Sequence, residues 1–195
     1  MFKYCPSCAS KNINFDGKNC SSCPDCSSVF YQNVAAANGC LIIVPESDSV
    51  EDQSDNLHGK KSDRFVFLVR GREPGAGKLD LPGGFVDIGE GILEGLRREL
   101  QEEIGWTPPM PEGSNLSDIF RLFASFSNVY EYKSIKYNTC DMYFSVKAPG
   151  LKLKDLTMEK AEIAEIRFLK PDEIDFSEFA FESTRQAVKT YLNLS

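Results

Sequence analysis

Five of the seven cysteines fall within the first 26 residues, and most of them fall in pairs. Cys5-Pro6-Ser7-Cys8 and Cys23-Pro24-Asp25-Cys26 repeat one Cys-Pro-x-Cys form, with fourteen residues between them. Each Cys-x-x-Cys turn points two sulfurs at one ion, and two such turns close a tetrahedron. The spacing predicts a zinc ribbon over residues 1–33, with Cys5, Cys8, Cys23 and Cys26 as Zn2+ ligands. So short a module buries too little apolar surface to fold alone, and a structural metal supplies the missing free energy. Between the pairs, Asn12 to Phe15 and then Asp16-Gly17 read as strand and turn. Cys20 forms an overlapping Cys-x-x-Cys with Cys23; Cys23 with Cys26 is preferred because that pair repeats the form of the first. A disulfide framework would spread its cysteines along the chain instead. Cys40 and Cys140, in or beside apolar strands, read as core thiols.

Residues 34–195 make one domain-sized unit. Hydrophobic residues are 42% of the chain and aromatics 11%, enough to fill a core. Asn38 to Val44 and Arg64 to Arg70 read as strands. Between them, residues 45–63 carry six acids against two bases and almost no apolar side chain, the pattern of a mobile surface loop. The single histidine, His58, falls inside it and reads as a solvated loop residue. Ile119 to Phe126, Asp141 to Ala148 and Ile163 to Leu169 read as further strands, with a turn-rich connection from Asn128 to Tyr137. Pro171-Asp172-Glu173 reads as a helical turn, and Phe179 to Leu192 as an amphipathic helix with Phe181, Val188 and Leu192 on one side. Strands and helices mix without strict alternation, so the fold class is α+β.

The strongest helix runs from Glu90 to Ile104, with Leu93, Leu96, Leu100 and Ile104 on one stripe and Gly105 ending it. It carries Glu99, Glu102 and Glu103, spaced three and four apart on one face. Three like charges there repel unless something positive sits among them. Hard oxygen ligands of this kind suit Mg2+ or Mn2+. A merely solvated acidic face is the competing reading of the three glutamates alone. Gly83-Gly84 ahead of the helix lets backbone approach a ligand closely.

The stretch Gly84 to Trp106 resembles the Nudix hydrolase signature, G-x5-E-x7-R-E-U-x-E-E-x-G-U with U apolar. All nine constrained positions match: Gly84, Glu90, Arg98, Glu99, Leu100, Glu102, Glu103, Gly105 and Trp106. The resemblance implies a Nudix fold, a mixed sheet sandwiched between helices, here preceded by the ribbon. It implies a pyrophosphatase that hydrolyses a nucleoside diphosphate linked to another moiety, such as NADH, ADP-ribose or a similar dinucleotide. Glu99, Glu102 and Glu103 would hold Mg2+ or Mn2+, Arg98 would orient the carboxylates, and Glu90 would support the loop and a metal. Glu162, in a segment resembling the family's late strand, is the candidate for an added metal ligand or base. A four-cysteine ribbon ahead of such a domain is similar to the arrangement of NADH pyrophosphatases. The dinucleotide-selective pattern of that subfamily, S-Q-P-W-P-F-P-x-S, is missing after the box. Phe126, Tyr130 and Tyr132 in this region are candidates for stacking on a base.

The formal net charge of -7 argues against nucleic acid as a partner, because that binding rests on phosphate neutralisation by Lys and Arg. It leaves room for a small nucleotide-type substrate, since a bound cation reverses the local field of an acidic site. No stretch approaches the ~20 apolar residues of a membrane span, and Met1 to Pro6 has no apolar h-region. A cytoplasmic protein is expected, and the resemblance allows a homodimer. Two other readings compete: a non-catalytic Nudix-fold protein that senses a ligand or binds a partner, and an RNA-directed Nudix hydrolase.

Overall fold

The computed structural model describes residues 2–46, 62–133 and 135–194. Most of the acidic loop expected over residues 45–63, His58 included, lies outside the described residues, and so does the side chain of Tyr132. The chain divides into two compact units, Met1–Val34 and Ala35–Ser195.

The first unit is a three-stranded antiparallel sheet of β1 (Asn14–Phe15), β2 (Cys20–Ser22) and β3 (Val29–Tyr31). The turn between β1 and β2 is set by Asp16, whose Oδ1 accepts from the backbone N–H groups of Lys18, Asn19 and Cys20. Gly17 supplies the left-handed backbone this turn needs, at φ 84°.

In the second unit, β4 (Ala35–Val44) and β5 (Arg64–Arg70) form the centre of a six-stranded mixed sheet with β6 (Leu79–Asp80), β7 (Arg121–Tyr132), β8 (Ile135–Lys147) and β9 (Ile163–Leu169). β4 runs parallel to β8 and antiparallel to β5, and β9 lines the far side of β5. Both faces of the centre are covered, which is why Cys40 to Val44 and Phe65 to Val69 read as unbroken apolar runs. Cys40, Ile42 and Val44 pack on one face against α1 (Ile92–Ile104), through Leu96, Leu100 and Ile104. Leu41 and Ile43 pack on the other against Ala187, Val188 and Tyr191 of α3 (Glu182–Tyr191). The result is a sheet between helices.

Several boundaries differ from the sequence reading; β4 starts at Ala35 rather than Asn38, and α3 runs Glu182–Tyr191 rather than Phe179 to Leu192. α1 starts at Ile92, not Glu90, because Gly89 is left-handed at φ 93° and Gly91 is the extended N-cap. Glu94 bonds back to the Gly91 N–H at 2.7 Å. A short helix, α2 (Leu116–Ile119), precedes β7 where a strand start was expected. The supposed turn-rich stretch from Asn128 to Tyr137 is instead the end of one long hairpin, paired from Arg121↔Ser145 to Tyr132↔Ile135 with a one-residue register shift between Leu122 and Ala124. Its tip extends past β4, whose ladder to β8 begins at Ala35↔Thr139. With less core to face, the tip carries the polar residues that mimic a loop.

Candidate functional site

The Gly-rich loop before α1 is strapped to the start of β4. Cys40 N–H donates to Pro82 O at 2.8 Å, Asn38 N–H to Gly84 O at 2.9 Å and Val86 N–H to Ala36 O at 3.1 Å. The approach is so close that a Cβ on Gly83 would overlap the Asn38 carbonyl oxygen, and its φ is 145°. Glycine is required there. The Gly83 N–H is thereby aimed at Glu103, donating to Oε2 at 2.8 Å.

Arg98 is the hub of the acidic face. Its Nε donates to Glu90 Oε1 at 2.8 Å and its Nη2 to Glu90 Oε2 at 3.1 Å. Its Nη1 reaches Glu99 Oε1 at 2.8 Å and Glu102 Oε2 at 2.9 Å, and Nη2 also meets the Phe85 carbonyl. The Arg98 bonds hold the Glu90 carboxyl below its usual range, with help from the Asp87 N–H. Glu90, ahead of the helix, is thus tied to the loop, while Glu102 is 58% exposed at the side-chain level.

Glu103 and Glu99 lie deeper. Burial pushes the Glu103 carboxyl well above its ordinary range; the Gly83 N–H opposes this, while Glu99, Asp80 and Glu162 push the same way. Burial also raises Glu99, against the pull of Arg98. Among the described residues no Lys or Arg ion-pairs with Glu103. Glu162, just before β9, faces Glu103 across a small cavity and is paired with Arg72 at 2.7 Å. The fold therefore brings Glu99, Glu103 and Glu162 close enough to repel, with Arg98 beside Glu99 and Glu102. Two of these carboxylates are destabilised in the ionised form, which a hard divalent cation would relieve; among the described residues no three of their oxygens converge to within 4.8 Å of one another, as the four cysteine sulfurs do.

Sequence reasoning missed Asp80, Arg70 and Arg72, which line the same cavity as Glu103 and Glu162. Asp80 pairs with Arg70 at 3.0 Å and accepts from Thr184 Oγ1. Its one local signal was position, four residues ahead of Gly84. Of the candidate stacking residues, Phe126 packs on Tyr143 within the core, whereas Tyr130 meets Phe85 and Phe181.

In the first unit, the Sγ atoms of Cys5, Cys8, Cys23 and Cys26 all lie within 4.8 Å of one another. Cys5 to Cys26 is 3.6 Å and Cys8 to Cys23 is 3.7 Å. A tetrahedral zinc with bonds of ~2.3 Å has sulfurs ~3.8 Å apart, so the four thiols fit Zn2+. Hydrogen bonds from the Ser28 side chain and backbone bring Cys26 down to about 6, while its bonds to the neighbouring thiols help to push Cys8 and Cys23 up. Cys20 stands outside the cluster, in β2 opposite Tyr31.

The chain matches the NUDIX domain family over residues 57–190. Among solved structures it is similar to a NUDIX hydrolase from Nitrosomonas europaea, at 23% identity and a TM-score of 0.58, covering 98% of this chain and 91% of that one. It is also similar to the NUDIX domain of Shewanella oneidensis NrtR complexed with ADP ribose, at 13% identity and a TM-score of 0.57, covering 88% and 93%. Both likenesses concern the fold. An ADP-ribose pyrophosphatase of Methanocaldococcus jannaschii is 39% identical over 49 residues, 25% of this chain and 29% of its own length. The NAD-capped RNA hydrolase ndx-9 of Caenorhabditis elegans is 27% identical over 105 residues, 54% of this chain and 24% of its own length. The chain thus spans about a quarter of the length of these curated relatives.

Proposed function

The chain belongs to the NUDIX family, and from that premise we propose that it is a pyrophosphatase hydrolysing the diphosphate linkage of a nucleoside diphosphate derivative, with Mg2+ or Mn2+. The observation that carries this is Glu103: a half-buried, desolvated carboxylate with no cationic partner among the described residues, repelled by Glu99 and Glu162 and fixed by a glycine N–H. Such a group is stable only with a cation or a proton. The relatives named for ADP-ribose and NAD-capped RNA support a dinucleotide-like substrate.

In this reading Glu99, Glu102 and Glu103 hold the cation, with Glu162 reaching it from the start of β9. A divalent cation supplies charge neutralisation at the diphosphate and acidifies water. Arg98 keeps Glu99 and Glu102 oriented through charge-assisted bonds and holds Glu90 against the loop. The straps from β4 to residues 82–86 fix the Gly83 and Gly84 backbone beside Glu103 and Glu99. Arg70 and Arg72, each paired with a carboxylate, offset the acidic charge of Asp80 and Glu162 at the cavity that Glu103 lines. Cys5, Cys8, Cys23 and Cys26 would hold a structural zinc in the first unit, Met1–Val34.

The test is a phosphate-release assay with Mg2+ or Mn2+ on ADP-ribose, NADH, NAD-capped RNA and dinucleoside polyphosphates, with phosphatase added to expose new monoesters. Cation-dependent release from at least one is expected. No release from any of them, with Mg2+ shown to bind, would replace the hydrolase by a sensing or partner-binding role.

A further inference from the structure

On the α3 side of the sheet lies a cavity of about 90 Å³, room for the edge of a heteroaromatic ring. Its floor is one face of β8. Thr139, Asp141 and Tyr143 alternate along the strand and so share that face, and they are 3%, 7% and 4% exposed. Opposite them in the parallel ladder stand Ala35, Ala37 and Gly39. These small residues leave the space open. At Gly39 the Tyr143 ring takes it up, since a Cβ there would be 2.9 Å from the ring.

Two features of the floor point to a ligand. Thr139 Oγ1 is buried and meets no hydrogen-bond partner among the described residues. Leaving such a group unsatisfied costs ~1–3 kcal/mol. Asp141 is a buried carboxylate whose donors are hydroxyls, Ser183 Oγ at 2.7 Å and Tyr143 OH at 3.5 Å. Its neighbour in the network, Asp80, has the Arg70 guanidinium as well; Asp141 has no Lys or Arg ion pair among the described residues. A buried carboxylate in that position is complemented by N–H donors. The rim is aromatic, with Phe85 and Tyr130 at 5.4 Å between centroids and Tyr130 and Phe181 at 5.7 Å, and it suits a flat ring. Gly83 and Gly84 wall the cavity, and the same two residues touch Glu103 and Glu99. Phosphates attached to a ring seated here pass over that loop toward the glutamates.

We propose that this cavity reads the edge of a nucleobase that carries an amino group beside an unprotonated ring nitrogen, the edge shared by adenine and cytosine. Asp141 accepts from the amino group, and the Thr139 hydroxyl donates to the ring nitrogen. Hypoxanthine and uracil present the reverse order and set a carbonyl oxygen against the Asp141 carboxylate. The inference deepens the hydrolase reading and rests on it for the direction in which the phosphates lie.

Dissociation constants of AMP, IMP, CMP and UMP, measured by titration calorimetry on the full chain with Mg2+, test it. A site built on buried hydrogen-bonding groups rejects the mismatched edge, so IMP is expected to bind at least ~10-fold more weakly than AMP, and UMP than CMP. Asp141→Asn keeps an oxygen for Ser183 and offers an amide N–H to a carbonyl, so it brings the AMP to IMP preference to unity or reverses it. Thr139→Val removes a hydroxyl that has no partner among the described residues while keeping its shape. It should therefore melt no lower than wild type yet bind AMP more weakly by ~3–10-fold; this arm remains if Asp141→Asn fails to fold. Equal affinity of the wild type for AMP and IMP, or unchanged AMP affinity in Thr139→Val, overturns the proposal. Discrimination without any diphosphate hydrolysis leaves it standing and sinks the hydrolase reading. Hydrolysis without discrimination, or without measurable binding of any of the four, does the reverse.

Discussion

Gly83 and Gly84 are adjacent, and alanine at each should fail in a different way. At Gly83 a Cβ would overlap the Asn38 carbonyl oxygen and stand 2.9 Å from the Gly39 Cα. Both atoms are backbone of β4, which is laddered to β8 at Asn38↔Met142 and Gly39↔Tyr143, so they yield little. The loop must move instead. Forcing a side chain onto a backbone at φ 145° costs ~1–3 kcal/mol. Losing the Gly83 N–H to Glu103 adds ~1 kcal/mol. The sum, ~3 kcal/mol, corresponds to a melting temperature ~6–12 °C lower for a chain of this size. At Gly84 the Cβ would meet Glu99 Oε1 at 2.7 Å and Cδ at 2.8 Å, the far end of a flexible side chain. Glu99 can swing away, so Gly84→Ala should melt within ~2 °C of wild type. The displaced carboxylate should nonetheless lower kcat/KM by up to ~100-fold, the usual penalty for misplacing a reacting constellation by about 1 Å. Differential scanning fluorimetry and the phosphate-release assay separate the two effects. A Gly83→Ala protein that melts with wild type, or a Gly84→Ala protein that melts as low as Gly83→Ala, would refute the reasoning.

Glu102→Gln keeps the shape of an exposed helix residue and removes one charge, so kcat should fall steeply with little change in melting temperature; an unchanged kcat would remove Glu102 from the cation site. Cys23→Ser should abolish stoichiometric zinc by elemental analysis while Mg2+ binding to the second unit persists, and retained zinc would mean that Cys20 substitutes. Glu103 gives a pH signature. Burial raises its carboxyl in the folded chain, so the folded state holds the proton more tightly than the unfolded one. Its contribution is then complete below the ordinary value of 4.5 and declines as pH rises through the folded value. Without divalent cation, Glu103→Gln should therefore gain melting temperature over wild type as pH climbs from about 5 to about 8, and added Mg2+ should narrow the gap. A pH-independent difference would contradict the placement of Glu103.

What the sequence made legible was what depends on near neighbours or strict period. The runs Cys40 to Val44 and Phe65 to Val69 predicted the central strands, and the Leu96, Leu100 and Ile104 stripe predicted the core face of α1. Paired cysteines found their cluster because two turns suffice to build it. The hairpin tip was misread for a physical reason: beyond Ala35↔Thr139 it lacks the sheet neighbour that makes a strand apolar, so it looks like a loop.

The site was legible only on its helical side. Arg98, Glu99, Glu102 and Glu103 are neighbours within α1, and their meeting follows from helical spacing alone. The other wall comes from contacts that no local pattern encodes. Asp141 meets Ser183 across 42 residues, and Asp80 meets Thr184 across 104. In the sequence each of these residues is one polar side chain at the end of an apolar strand or in the first turn of a helix, where a solvated position looks the same. Only the pairing of β4 with β8, and the packing of α3 across them, turns those polar residues inward. The helix therefore announces the proposed cation site, while the chemistry that would choose among bases lies in long-range contacts. Substitutions on β8 and α3 should accordingly change which nucleotide binds, and substitutions on α1 should change how fast it is cut.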